Sequence, residues 1–317
     1  MSDTGNLHVV FGTGPVGLAV MDELVAQGKS VRMINRSGRV DLPEGVELVT
    51  GDASDPAFTK EASAGAEVVY QCLNPPYTLW PELFPPLQAA VLEGAIASGA
   101  KLVSMENVYM YGSTGGQPMR EEMPYAADTR KGRVRAEMAR ALLDAHDQGK
   151  VRVAIGRASD FYGPRVLSSA MGDRVFPAAL NGKKAQVLGN VDLPHTYTYI
   201  HDIGKGLAIL GEREEALGQV WHLPSAETVS TRRFLEMVYA EAGHPLAIQQ
   251  APKLLLRLIG LFNGNMREIL EMIYQFEEPF ILDDSKFTQQ FGNHATPLRE
   301  AIRTTLAWYR VQYHTNR

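Results

Sequence analysis

Cysteine is nearly absent from this chain: Cys72 is the only one in 317 residues. No intrachain disulfide can form, and a reducing cytoplasm is the expected compartment. Long hydrophobic runs are missing as well. Leu254–Phe262 is short and contains Arg257, well below the roughly 20 apolar residues that a membrane-spanning helix needs. The polar start Met-Ser-Asp-Thr-Gly-Asn has no apolar core of the signal-peptide kind. An excess of positive charge is lacking too. The formal net charge of −5 argues against nucleic acid or an anionic membrane as the main partner. His195 and His222 have no cysteine, aspartate or glutamate at ligand spacing, so no metal site is expected. Neither low-complexity sequence nor an internal repeat is found. Hydrophobic content of 45% and charged content of 21% are those of an ordinary soluble globular protein, long enough for one nucleotide-binding domain and a smaller lobe.

The most informative feature present is Leu7-His-Val-Val-Phe-Gly-Thr-Gly-Pro-Val-Gly17, an apolar strand running into Gly-x-Gly-x-x-Gly and then an amphipathic helix. Gly12 allows the tight turn, Gly14 lets the backbone approach a pyrophosphate, and Gly17 permits close helix–strand packing. Pro15 and Val16 complete the turn, and the helix N-terminus offers N–H groups and a positive dipole end to the phosphates. Val16, Val20 and Leu24 share one helical face, as a helix packed on a sheet requires. The pattern predicts binding of NAD or NADP.

Strand-like segments at 7–11, 30–35, 46–49, 67–73, 101–105 and 151–156 alternate with helical patterns. This order predicts a Rossmann-type α/β domain with a doubly wound parallel sheet over residues 1–165, with ligands at the carboxyl ends of its strands. Residues 186–224 are expected to return to that sheet through short strands at 186–201 and 218–223. Residues 166–185 and 225–317 are read as a smaller, mainly helical substrate lobe. In it Met266, Ile269, Leu270, Ile273 and Phe276 form an apolar stripe at helical spacing, read as core.

The second strand ends Ile34-Asn35-Arg36-Ser37. An acidic residue there would accept hydrogen bonds from the adenosine ribose. Asn35 brings no such charge and Arg36 can clamp a 2′-phosphate, which favours NADP over NAD. Asp52 and Ala53 follow the third strand and flank the expected adenine position, although Asp52 also reads as the cap of a turn. Leu73 and Asn74, in the stiff loop Asn74-Pro75-Pro76-Tyr77, lie on the nicotinamide side, with Asn74 able to bind ribose. Cys72 is read as a small buried residue.

Five segments occur in the order seen in extended short-chain dehydrogenases/reductases: Gly12–Gly17, Gly51–Asp55, Tyr109–Gly112, Arg157–Pro164 and Tyr199–Asp202. The chain resembles the NAD-dependent epimerase/dehydratase group over almost its whole length. That resemblance implies a dinucleotide-binding domain, a C-terminal substrate lobe, and often a homodimer pairing the helices near 82–98 and 133–146, here with Leu83, Leu87, Val91 and Ile96. It also implies a catalytic Tyr-x-x-x-Lys, which this sequence does not contain. Aligned on Ala136-Glu137, Lys131 takes the tyrosine position and Arg135 the lysine position. Ser104, Glu106 and Asn107 compete for the serine that the resemblance places on the preceding strand.

Lys131 is therefore a candidate proton donor, with an expected depressed pKa beside Arg135 and an oxidised nicotinamide. Tyr109 and Tyr111 are the rival donors, and Arg135 is expected to hold ribose hydroxyls. A plain basic helix face is the bland alternative for residues 130–140. Gly132 suits either a ligand packed closely there or a helix that starts after it. Tyr77, Asn107, Tyr162 and His195 are candidate substrate contacts. The resemblance places a diphosphate-gripping arginine of sugar-nucleotide enzymes in the region 193–199, where His195 and Thr196 stand instead. The leading functional expectation is an NAD(P)-dependent oxidoreductase acting on a small carbonyl or enone. Alternatives are a nucleotide-sugar epimerase/dehydratase and a non-catalytic NAD(P)-binding sensor.

Overall fold

The computed structural model describes residues 6–250 and 262–315; most of the run Leu254–Phe262 lies outside them. Strand and helix alternate through β1 (Leu7–Phe11), α1 (Pro15–Ala26), β2 (Ser30–Asn35), β3 (Glu47–Thr50), α2 (Pro56–Ala62), β4 (Val68–Gln71), α3 (Trp80–Ser98), β5 (Lys101–Glu106), α4 (Arg130–Asp147) and β6 (Arg152–Arg157). There follow β7 (Phe161–Tyr162), α5 (Phe176–Leu180), β8 (Ala185–Val187), β9 (Pro194–His195), β10 (Thr198–Tyr199), α6 (Ile200–Glu212) and β11 (Gln219–His222). The remaining elements are β12 (Val229–Ser230), α7 (Thr231–Ala242), β13 (Ile248–Gln250), α8 (Gly264–Glu271), α9 (Ser285–Phe291) and α10 (Leu298–Thr315).

Seven parallel strands form one sheet in the order β11-β6-β5-β4-β1-β2-β3. The central strands are apolar on both faces, as strands covered by helices on both sides must be. Val10, Tyr70 and Val103 pack with Val16, Val20 and Leu24 of α1 and Ile203 and Leu207 of α6. Val9, Phe11, Val69 and Leu102 pack on the opposite face with Val91 of α3 and Leu142 of α4. Helices α1 and α6 touch closely at Gly204, where an added Cβ would lie 2.5 Å from the Ala19 backbone. The strand order reverses between β1 and β4, which opens the ligand crevice at their carboxyl ends.

The sequence expectation fails for 186–201. Of the segments expected to return, only β11 joins the large sheet, beside β6. β8 pairs with β13, β9 with β12 and β10 with β7. These two- and three-residue strands form separate two-stranded ladders instead of widening the sheet, and Ile200 already begins α6. Between 166 and 185 only α5 is helical. The apolar stripe from Met266 to Phe276 is half-buried, not full core, and it breaks into a 3₁₀ turn at Ile273–Phe276. Among the described residues, no helix is long and apolar enough to cross a membrane.

Candidate functional site

The glycine turn is built for a close anionic ligand. Gly12 adopts φ +111° and donates its N–H to Ile34 O at 2.9 Å; a Cβ there would press on Cys72 O at 2.9 Å. A Cβ on Gly17 would collide with the Gly12 carbonyl, whereas one on Gly14 would meet nothing within 4 Å. The turn is thus closed toward the protein and open at Gly14. Helix α1 has no side-chain cap and no acidic residue in its first turn, so its N-terminal N–H groups are left for a ligand's phosphates. These features fit a dinucleotide pyrophosphate.

Asn35 ties the end of β2 to this turn, donating to Thr13 Oγ1 at 3.2 Å and accepting the Gly38 N–H at 2.8 Å. Arg36 is exposed beside it. Asp52 accepts from the N–H of Ser54 at 2.9 Å and from its hydroxyl at 2.8 Å. Those bonds, with a smaller contribution from Arg36, hold its carboxyl below the usual range. Pro15 is half-buried, Val16 and Ala53 are buried, Leu73 is half-buried and Asn74 is exposed.

The second part of the site lies where β5 ends and α4 begins. Thr129 caps α4 by accepting the Gly132 N–H at 3.1 Å. A Cβ on Gly132 would stand 2.6 Å from Tyr109 O and would strike Ala127, so it is the protein itself that packs closely there. Lys131 is fully buried. Its ammonium meets Glu268 and, at 2.8 Å, Glu271 of α8, and lies 4.5 Å from the centre of the Tyr77 ring. The Lys131 N–H also donates to Glu271 at 3.0 Å, and Arg130 pairs with Glu268 at 2.6 Å. The ammonium is thus held between two carboxylates of α8.

Arg135 does lie one turn further along α4, yet it turns into the α3–β5 interface. It sits 3.3 Å from Met105 O, 3.6 Å from Glu106 and 4.7 Å over Phe84. The contacts described are all with the protein itself, and its buried Nε has no partner. Tyr109 fares better as a donor. It is half-buried, its hydroxyl accepts from Tyr77 at 3.3 Å, and Trp80 packs beside both rings. Burial, with a contribution from Asp160, pushes the Tyr109 phenol up to about 12, so it carries its proton at neutral pH.

Tyr111 is withdrawn from the cleft. Its hydroxyl bonds His222 Nε2 at 2.8 Å and receives Arg157 at 2.7 Å, within a buried group that includes Tyr125 and Glu106. Asn107 accepts the Tyr109 N–H at 3.2 Å and so shapes the turn that carries Tyr109. Tyr162 is a core residue, with no exposure, packed among Phe176, Tyr199 and Phe234. The large aromatic at the end of a strand was legible, but its direction was not.

His195 is buried, 3.0 Å from Asp160, with its ring stacked on Tyr197 and Phe276. The sequence reading missed Asp160, Glu268 and Glu271 as site residues. Asp160 lies inside the quoted Arg157–Pro164 segment. Glu268 and Glu271 are three apart on the polar side of the apolar stripe, a spacing that puts both on one helical face.

The sequence profile of the NAD dependent epimerase/dehydratase family matches residues 9–223. A dTDP-glucose 4,6-dehydratase of Streptomyces griseus is 22% identical over 227 residues, which are 69% of this chain and 62% of that protein. The chain thus spans less than two thirds of this relative's length. The crystal structure of DesIV, a dTDP-glucose 4,6-dehydratase of Streptomyces venezuelae with NAD bound, matches with a TM-score of 0.80 over 98% of both chains at 15% identity. The UDP-glucose 4-epimerase of Thermotoga maritima, solved with UDP-glucose, matches with a TM-score of 0.75 over 97% of this chain and 99% of that one at 16% identity. At such identities the likeness is one of fold.

Proposed function

The chain belongs to the NAD dependent epimerase/dehydratase family of enzymes, and from that premise we propose that it moves a hydride at a hydroxyl- or carbonyl-bearing carbon of a small molecule. The observation that carries this reading is the pair of Tyr77, after β4, and Tyr109, after β5, on the same carboxyl edge of the sheet as the open glycine turn. A nicotinamide, when bound, would supply the hydride donor or acceptor. The α1 N-terminus and Gly14 would hold its pyrophosphate. Tyr109, protonated at neutral pH, donates a proton to the oxygen that gains negative charge as a carbonyl is reduced. Tyr77 orients that phenol, and Lys131 anchors α8 beside it.

NADP is the preferred dinucleotide in this proposal, because Arg36 and Arg39 are exposed at the end of β2 and Asn35 brings no repelling charge. The relatives' names support an epimerase or dehydratase cycle in which the cofactor is regenerated in place. A second reading is a reductase of small carbonyls or enones, in which the Tyr109 phenol beside Tyr77 would deliver the proton. Cofactor stoichiometry separates the two: a reductase consumes one NAD(P)H per product, and a regenerating enzyme leaves the absorbance at 340 nm unchanged after turnover. A cytoplasmic location and a homodimer through α3 and α4 complete the proposal. Leu83 and Ile96 stay exposed on α3, while Val91 is used in the core.

The test is fluorescence titration with NADPH and NADH, followed by product analysis with dTDP-glucose, UDP-glucose, free sugars and hydroxyketones. Tighter NADPH binding and turnover of one class are expected. A folded protein that binds neither dinucleotide at ~1 mM contradicts the proposal.

A further inference from the structure

We infer that Asp160 and His195 form a selectivity couple that admits uncharged, hydroxyl-bearing ligands to the cleft and rejects nucleoside diphosphates. The inference rests on the enzymatic reading of the same cleft and specifies its substrate class.

The couple is fixed on every side. His195 Nε2 lies 3.0 Å from Asp160 Oδ2. The imidazole is 3% exposed, and its centre is 4.5 Å from Tyr197, 5.4 Å from Phe276 and 5.0 Å from Phe280. Those rings pack around the imidazole while it faces the carboxylate. The backbone holds the two segments together as well: Thr198 N–H donates to Asp160 O at 3.0 Å, and the Ser159 hydroxyl donates to Thr196 O at 2.7 Å. The Asp160 side chain keeps 19% exposure, and among the described residues no protein donor occupies its Oδ1. Asp160 follows the carboxyl end of β6, on the same edge of the sheet as Tyr109 after β5, and its negative charge contributes to raising the phenols of Tyr77, Tyr109 and Tyr274.

The charges around this couple are already matched. Arg130 and Lys131 are paired with Glu268 and Glu271, so the two cations beside the Tyr77–Tyr109 pair meet two carboxylates before any ligand arrives. Asp160 adds a third carboxylate. Among the described residues, a diphosphate entering here would face Asp160 without a free cation beside it to offset its charge, and it would have to compete with Glu268 and Glu271 for Lys131. Arg174, at the rim of the small cavity lined by Ala170, Met171, Gln186 and Phe276, is exposed to water, where its hold on a phosphate is weak. A hydroxyl suffers none of this. It donates to Asp160 Oδ1 and gains a charge-assisted bond.

The test is calorimetric titration of dTDP and of UDP, separately, into the NADPH-loaded protein and into Asp160→Asn and Asp160→Asn/His195→Arg variants. The wild type is expected to show no saturable binding below ~1 mM. Asp160→Asn, which keeps the shape and loses the charge, is expected to gain weak binding, and the double variant at least tenfold more. Saturable binding of either nucleotide diphosphate by the wild type below ~1 mM overturns the inference. Folded variants that bind no better than the wild type overturn it too. Asp160→Asn keeps the inference testable if the arginine variant does not fold. Failure of the wild type to bind NADPH strikes the enzymatic reading instead, so the two failures are told apart within one experiment.

Discussion

Replacing Glu106 by glutamine should cost about 3 kcal/mol of stability, the low end of the range for breaking one side of a buried ion pair. Glu106 ends β5 with a fully buried side chain, 3.0 Å from Arg157 Nε and 3.6 Å from Arg135 NH2. Both guanidiniums are buried as well. Glutamine keeps one hydrogen bond to Arg157 and removes the only carboxylate paired with either arginine among the described residues, leaving two cations in a dry interface. The loss stays near the low end because Arg157 retains the hydroxyls of Tyr111 at 2.7 Å and Tyr125 at 2.6 Å. Against a total stability of roughly 5–15 kcal/mol, that is a large fraction. With a urea dependence of about 1–3 kcal/mol per molar, the unfolding midpoint should fall by about 1–3 M. Urea titration followed by far-ultraviolet circular dichroism reads this directly. A loss below ~1 kcal/mol, the ceiling for most exposed pairs, would refute the reasoning, because it would mean that water already reaches the group.

The other expectations concern the cofactor turn, the proton donor and pH. Gly17→Ala should unfold or severely destabilise the protein, since its Cβ strikes the Gly12 carbonyl, while Gly14→Ala should fold normally and bind NADPH at least tenfold more weakly; thermal melts and titrations separate the two. Tyr109→Phe should lower turnover by about 10²–10⁴-fold, the usual contribution of a general acid, with dinucleotide affinity preserved. Lys131→Met should mainly raise KM, because its ammonium anchors α8; a kcat loss as large as that of Tyr109→Phe would restore Lys131 as the donor. Burial lowers His8 to about 4 and His222 to about 3. With folded values below the unfolded value of about 6.5, their contribution is complete above that pH and is lost as pH falls through about 4 and then 3. His8→Phe should make the decline of the urea midpoint shallower between pH 6.5 and 4.

The nucleotide half of the fold was legible because its signals are local. Glycines at 12, 14 and 17, an apolar strand and an amphipathic helix suffice to place β1, α1 and the turn between them, and periodicity located the five sheet strands that follow. The sheet's edge was legible only in part. Two- and three-residue strands such as β8 and β9 carry too few side chains to reveal their partner, so β11 alone joined the sheet as expected. Tyr109 was named, but Tyr111 and Tyr162 were indistinguishable from it by sequence, since facing the cleft or the core is decided by His222, Arg157 and Phe234 far along the chain. The fate of Lys131 was hidden for the same reason: its partners Glu268 and Glu271 lie more than 130 residues away.

The central claim is hydride transfer with Tyr109 as proton donor, and isotope transfer tests it most directly. The protein is incubated with NADPH carrying deuterium at nicotinamide C4 and with the carbonyl compounds it turns over, and product deuterium is measured by mass spectrometry for the wild type and Tyr109→Phe. The account predicts one deuterium on the former carbonyl carbon with the wild type, and label formation slowed by about 10²–10⁴-fold in the variant at unchanged NADPH affinity. Product that carries no deuterium although NADPH is consumed, or label that forms equally fast without the Tyr109 hydroxyl, would contradict it.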